Sequence, residues 1–128
     1  MIDIEALQFT RVKEAVSSLC PNCGTISQDD KPKFPYLQFV QLDNPAYWQT
    51  ADSDSKENHV QPMIQIDVYT TDSLYQAKQI LKLADSQMQS DGWERTFMQP
   101  LSLSSPFRYT ARYRAIVKEN GPNSYTVI

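Results

Sequence analysis

The chain is poor in the residue types that carry chemistry. It has one histidine, His59, and two cysteines, Cys20 and Cys23, in 128 residues. Zinc normally takes four nitrogen or sulfur ligands, and this supply does not reach a quartet without help from elsewhere. No phosphate loop and no nucleophile paired with a base stands out along the chain, which points to an assembly part rather than an enzyme. Long apolar runs are missing too, and a membrane helix needs about 20 such residues. The N-terminal MIDIEALQFT carries acids where a secretory signal has a basic region and then an apolar one, so a soluble protein made inside the cell is expected. Nor is there an excess of positive charge. Residues 1–64 hold nine acids and five bases and residues 65–128 six acids and seven bases, a balance of −4 and +1. Gripping DNA by counterion release requires clustered Lys and Arg, which this balance does not supply.

What is present is hydrophobic periodicity, in an amount that suits one core and one domain spanning residues 1–128. Phe9, Val12, Val16 and Leu19 recur at helical spacing, predicting a first helix over about Asp3–Leu19, stopped by Pro21 and Gly24. Residues 20–35 read as an irregular connector, Tyr36–Leu42 as a strand, and Asn44–Asn58 as a long polar loop that contains Tyr47 and Trp48. His59–Thr70 alternates Ile64, Ile66 and Val68 as a strand with one buried face, with Pro62 expected at an edge or bulge. A second helix starts at Ser73, whose spacing to Gln76 is that of a capping box, and ends at Gly92, with Leu74, Ala77, Leu81, Ala84 and Met88 as its apolar stripe. Strands follow over Trp93–Leu103, Phe107–Lys118 and, more briefly, Tyr125–Ile128. The expected fold is α+β, a single mainly antiparallel sheet of four to five strands with two helices packed on it, in the order α-β-β-α-β-β with one more strand at the end.

Three places invite a functional reading. On the strand from Phe107, the residues Phe107, Tyr109, Ala111, Tyr113, Ala115 and Val117 share one face, and Arg108, Thr110, Arg112 and Arg114 share the other. Those arginines form a solvated face, pair across the sheet with Asp67, Glu94 or neighbouring Gln side chains, or meet carboxylates of an adjacent subunit. Glu57, Asn58 and His59 form a polar cluster at a strand start. It suits an interface better than general acid and base work, which also needs a nucleophile or a group that orients substrate. Tyr47 and Trp48 either anchor a partner or fold back over a sheet edge. Cys20 and Cys23 read as ordinary thiols at a helix end, the alternatives being a local redox pair or a metal site completed by another subunit. Asp52, Asp54 and Glu57 lack the EF-hand pattern and its turn glycine, so calcium is not expected.

The strings FPYLQFVQLDNPAYWQT (Phe34–Thr50), ENHVQPMIQIDVYT (Glu57–Thr70), GWERTFMQPL (Gly92–Leu101) and RYTARYRAIV (Arg108–Val117), in this order and spacing, resemble the tail-terminator or tail-completion proteins of siphophages. The likeness is to the small versions from phages and prophages of Gram-positive bacteria. It covers most of the chain after residue 33, while the Cys-Pro-Asn-Cys segment departs from that family's pattern. The resemblance implies a compact α/β subunit of a homo-hexameric ring at the head-proximal end of the tail tube, made in the bacterial host and resident in the virion. Its implied partners are the tail-tube protein on one side and the head-closure or connector protein on the other, with DNA passing through the lumen without specific binding. It implies no cofactor and no membrane. The alternatives are a head-closure or other neck protein and, from a different class, a small enzyme using His59 with Glu57.

Overall fold

A computed structural model describes residues 3–25, 33–45, 59–121 and 124–128. Among the described residues two helices, α1 (Glu5–Val16) and α2 (Leu74–Ser90), accompany seven strands: β1 (Asn22–Gly24), β2 (Tyr36–Asp43), β3 (Met63–Thr70), β4 (Glu94–Ser102), β5 (Phe107–Arg114), β6 (Val117–Gly121) and β7 (Ser124–Val127). Five of them form one sheet in the order β1-β2-β3-β5-β4, antiparallel throughout except for the β1–β2 pair. The α+β class is therefore as the patterning predicted. β6 and β7 make a separate two-stranded hairpin.

The sheet has one covered face. Register places Leu37 opposite Val68 and Phe39 opposite Ile66, then Ile66 opposite Ala111 and Ile64 opposite Tyr113. All of these are buried beneath the helices, together with Ala77, Ile80, Leu81, Ala84 and Met88 of α2. Leu74, predicted to begin that stripe, is only partly covered, and Ile80 takes its place in the core. From α1, Val12 and Val16 reach the core and Phe9 packs on Phe39 with ring centroids 5.7 Å apart. Leu19 does not continue the stripe: α1 stops at Val16, a turn intervenes, and Leu19 is 47% exposed while Cys20 takes the core position.

Local signals set the ends of α2. Ser73 Oγ accepts the Gln76 N–H at 3.0 Å, which is half of the expected capping box. The other half is absent because the Gln76 side chain accepts from the Thr70 hydroxyl instead. At the far end Trp93 N–H reaches Met88 O at 2.9 Å and Gly92 N–H reaches Gln89 O at 3.0 Å, a Schellman closure with Gly92 at φ 93°. A Cβ on Gly92 would lie 3.1 Å from Val127 Cγ1, so that position needs glycine both for its φ and for the close approach of β7.

Three boundaries differ from the sequence reading. The 20–35 connector contains β1, whose three residues are too few to show a period. The strand predicted to run through Lys118 breaks after Arg114: Val117 pairs with Val60 and then enters the β6–β7 hairpin, while the Ile128 N–H bonds Ile116 O at 2.8 Å. Pro62 lies just before β3, which is central in the sheet rather than at an edge. The irregularity sits opposite Met63, in β2 between Gln41 and Asp43.

Tyr113 ties the two layers together, donating its phenol hydrogen to Asp85 Oδ1 of α2 at 2.6 Å. Asp85 Oδ2 is also bridged by Arg95 at 3.0 Å. Burial first, and the Asp85 carboxylate second, push the Tyr113 phenol far above its ordinary value. Because the folded value is the higher one, this contribution to stability is complete below the unfolded value of about 10 and is lost as pH rises towards the folded value. Denaturant unfolding across the alkaline range is expected to show stability falling above about pH 10, with a shallower fall in Tyr113→Phe. At neutral pH that variant is expected to lose about 1.5–3 kcal/mol for the hydrogen bond to a charged acceptor.

Candidate interaction surface on the open sheet face

The face of the sheet opposite the helices carries the alternate residues of each strand. Tyr36, Gln38 and Val40 of β2, Met63, Gln65, Asp67 and Tyr69 of β3, and the three arginines of β5 share it by register. Phe97 and Glu94 of the edge strand β4 lie opposite Arg112 and Arg114 on the same face. No helix among the described residues covers this surface.

Of the three readings of the arginine face, pairing across the sheet is what the structure shows, with the partners named from the alternation. Arg108 Nη2 lies 3.2 Å from Asp67 Oδ1, and its guanidinium sits over the Tyr69 ring with Cζ 5.4 Å from the centroid. Asp67 is almost fully buried at 2% exposure and takes a second hydrogen bond from Gln65 Nε2 at 2.8 Å. The same amide accepts Arg112 Nε–H at 2.9 Å on Oε1, so Arg112, Gln65, Asp67 and Arg108 form one connected network. Arg112 also lies over Phe97, with Cζ 5.5 Å from its centroid. Arg114 pairs with Glu94 through two contacts, Nε–Oε2 at 3.2 Å and Nη2–Oε1 at 3.5 Å, and both side chains are half exposed or more.

The three arginines are thus not equivalent. Arg108 neutralises a carboxylate buried in the centre of the face and belongs to the fold. Arg112, among the described residues, is held by a neutral amide, and the Arg114–Glu94 pair is of the solvent-exposed kind worth about 0–1 kcal/mol. These two guanidiniums are cheap to redirect. The tyrosines extend the surface towards β2, with Tyr36 and Tyr69 rings 6.4 Å apart. Burial foremost, then the nearby Asp67 carboxylate, raises the Tyr69 phenol above its usual value, so it stays a neutral hydrogen-bonding group.

Arg114 also stands where two shallow clefts meet at the end of the sheet. One, of about 310 Å³, is bordered by Gly92, Glu94 and Ile128; the other, of about 180 Å³, by Asp43, Pro45 and Met63; both include Gln61 and Arg114. The other expected site residues fall elsewhere. His59 is half-buried beside Val60, the residue that bridges to Val117, and is not on an element of the open sheet face. Tyr47, Trp48, Glu57 and Asn58 lie outside the described residues, as do Asp52 and Asp54. Among the described residues no group of three or more His, Cys, Asp or Glu assembles to hold a metal, and no helix is long and apolar enough to cross a membrane.

Sequence reasoning named neighbouring Gln side chains as partners without giving Gln65 a number, and it did not single out Phe97, Tyr36 and Tyr69 as parts of this surface. Gln65 and Tyr69 were within reach of the alternation of β3, whose polar phase they share with Asp67. Phe97 was not, because the register shift between Arg95 and Phe97 in β4 breaks the period that would have placed it. No protein-family model and no curated protein sequence matches the chain.

Proposed function

We propose that the protein is a structural virion component, a tail terminator that closes the head-proximal end of a siphophage tail tube as a homo-hexameric ring. In this role it stops tube growth, provides the docking surface for the head connector, and acts through its surfaces rather than by catalysis. The observation that carries the reading is the open sheet face with its two redirectable arginines beside aromatic side chains. Identical subunits around a ring meet through heterologous contacts, one patch against a different patch of the neighbour. Aromatic and Arg side chains are enriched in such contacts, and a guanidinium takes a carboxylate with bidentate geometry. Fifteen acids against twelve Lys and Arg leave carboxylates for a neighbour to offer. The net charge of −3 also suits a lumen through which DNA slides without being gripped.

Particles assembled without the protein test this. Tails of uncontrolled length that fail to join heads are the expected result. Full heads that leak DNA, with tails of normal length, would move the protein to head closure. Normal, infectious particles would end the structural reading altogether.

A further inference from the structure

Independently of that role, the segment that leads from α1 into β1 brings the two cysteines of the chain together in one turn, with two residues between them. Cys20 is completely buried in the core, with its Sγ 3.4 Å from Asn22 O, and Cys23 is half-buried, its Sγ 3.6 Å from Cys20 O. Both thiols bond backbone oxygens of the same short turn, Cys20 to Asn22 and Cys23 to Cys20, which keeps them side by side, and neither is bridged. We propose that Cys20 and Cys23 form a reversible dithiol–disulfide pair that exchanges with small disulfides of the glutathione type, Cys23 attacking and Cys20 resolving.

The division of labour follows from the two environments. Cys23 carries the exposed part of the pair and is the sulfur an external disulfide can reach. When Cys23 ionises, the Cys20 S–H is placed to donate to it. That hydrogen bond foremost, and Lys13 to a smaller extent, hold Cys23 below the ordinary thiol range against the opposing effect of burial. The same contact, followed by burial, pushes Cys20 up, so Cys20 stays a protonated thiol until its partner has reacted.

In the first step Cys23 Sγ⁻ attacks one sulfur of the external disulfide, the S–S bond breaks, and one thiolate leaves. A protein–glutathione mixed disulfide remains. Cys20 then gives up its proton, to the departed thiolate or to water, and attacks Cys23 Sγ, and the second thiol leaves. Two protein thiols are oxidised and one external disulfide is reduced to two thiols. The product ties the turn after α1 to β1 through a ring that encloses only Pro21 and Asn22.

The test equilibrates the folded full chain with mixtures of glutathione and glutathione disulfide, then counts free thiols by alkylation and intact mass. Loss of both thiols with a mass decrease of two hydrogens, reversed by excess glutathione, is expected. Cys20→Ala is expected to accumulate a mixed disulfide with glutathione on Cys23, because nothing resolves it. Cys23→Ala is expected to leave Cys20 unmodified while folded. Lys13→Gln is expected to slow the first step and leave the end product unchanged, a kinetic effect that a purely structural thiol would not show. Thermal unfolding of each variant establishes that it is folded at the assay temperature. A native chain that keeps both thiols and reacts only in denaturant overturns the proposal. So does a folded Cys20→Ala chain that gathers no mixed disulfide. Should Cys20→Ala fail to fold, the wild-type thiol count decides alone.

Discussion

Arg108→Ala is expected to destabilise the folded chain by about 2–3 kcal/mol, through the carboxylate that the substitution strands. Asp67 is 2% exposed in the middle of the open face, and Arg108 is the cation that bridges it. Removing one partner of a buried pair costs about 3–5 kcal/mol, since the other charge then lies out of water with nothing opposite. Two features reduce that figure here. Gln65 Nε2 still donates to Asp67 at 2.8 Å, and the Arg108 side chain is itself one-third exposed, so water enters where the guanidinium was. A loss of this size shifts the thermal midpoint by roughly 10 °C for a chain of this length. Replacing both members, as in Arg108→Met with Asp67→Leu, is expected to recover much of the loss, because the penalty belongs to the orphaned charge and not to the absence of a salt bridge. Urea or thermal unfolding of the three chains checks this. An Arg108→Ala chain as stable as the wild type would show that Asp67 is solvated after all.

Arg112→Ala combined with Arg114→Ala is expected to leave the isolated subunit within about 1 kcal/mol of wild type, since both side chains are exposed and their partners stay hydrated. Assembly is where the substitution is expected to act. If the guanidiniums turn to carboxylates of a neighbouring subunit and are desolvated there, removing one partner costs about 2–5 kcal/mol, which is about 30-fold or more in association. The monomer's unfolding and its incorporation into tails are to be measured side by side. Normal incorporation would remove Arg112 and Arg114 from the interface, while a collapse of the monomer would assign them to the fold, as Arg108 is. Because Arg108 stands on the same face of the same strand, the contrast between the two variants separates pairing that builds the subunit from pairing that joins subunits.

The sequence by itself determined the elements whose residues repeat. A period of two over Ile64, Ile66 and Val68 and a period of 3.6 over Ala77, Leu81, Ala84 and Met88 are imposed by backbone geometry, and both faces appear in the core. The ends of α2 were legible because Ser73 and Gly92 satisfy terminal backbone groups through local contacts. The arginine face was legible for the same reason as β3, since side chains two apart on a strand must point the same way.

What the tertiary structure alone decided depends on partners far apart in the chain. Gln8 looks like a surface residue of α1, yet it is fully buried, donating to Asp91 Oδ2 at 3.0 Å and accepting from the Tyr125 hydroxyl. A buried amide is tolerated only when its hydrogen bonds are met, and here they come from the end of α2 and from the β7 strand. The path of the chain after Arg114 was decided likewise: alternation continues through Val117, but Val60 and Val127 claim Val117 as a partner and turn the strand into a hairpin. β1 exists because β2 offers it an edge. The difference between Arg108 and its two neighbours has the same origin, because burial of Asp67 is a property of the assembled sheet and one strand's pattern cannot carry it.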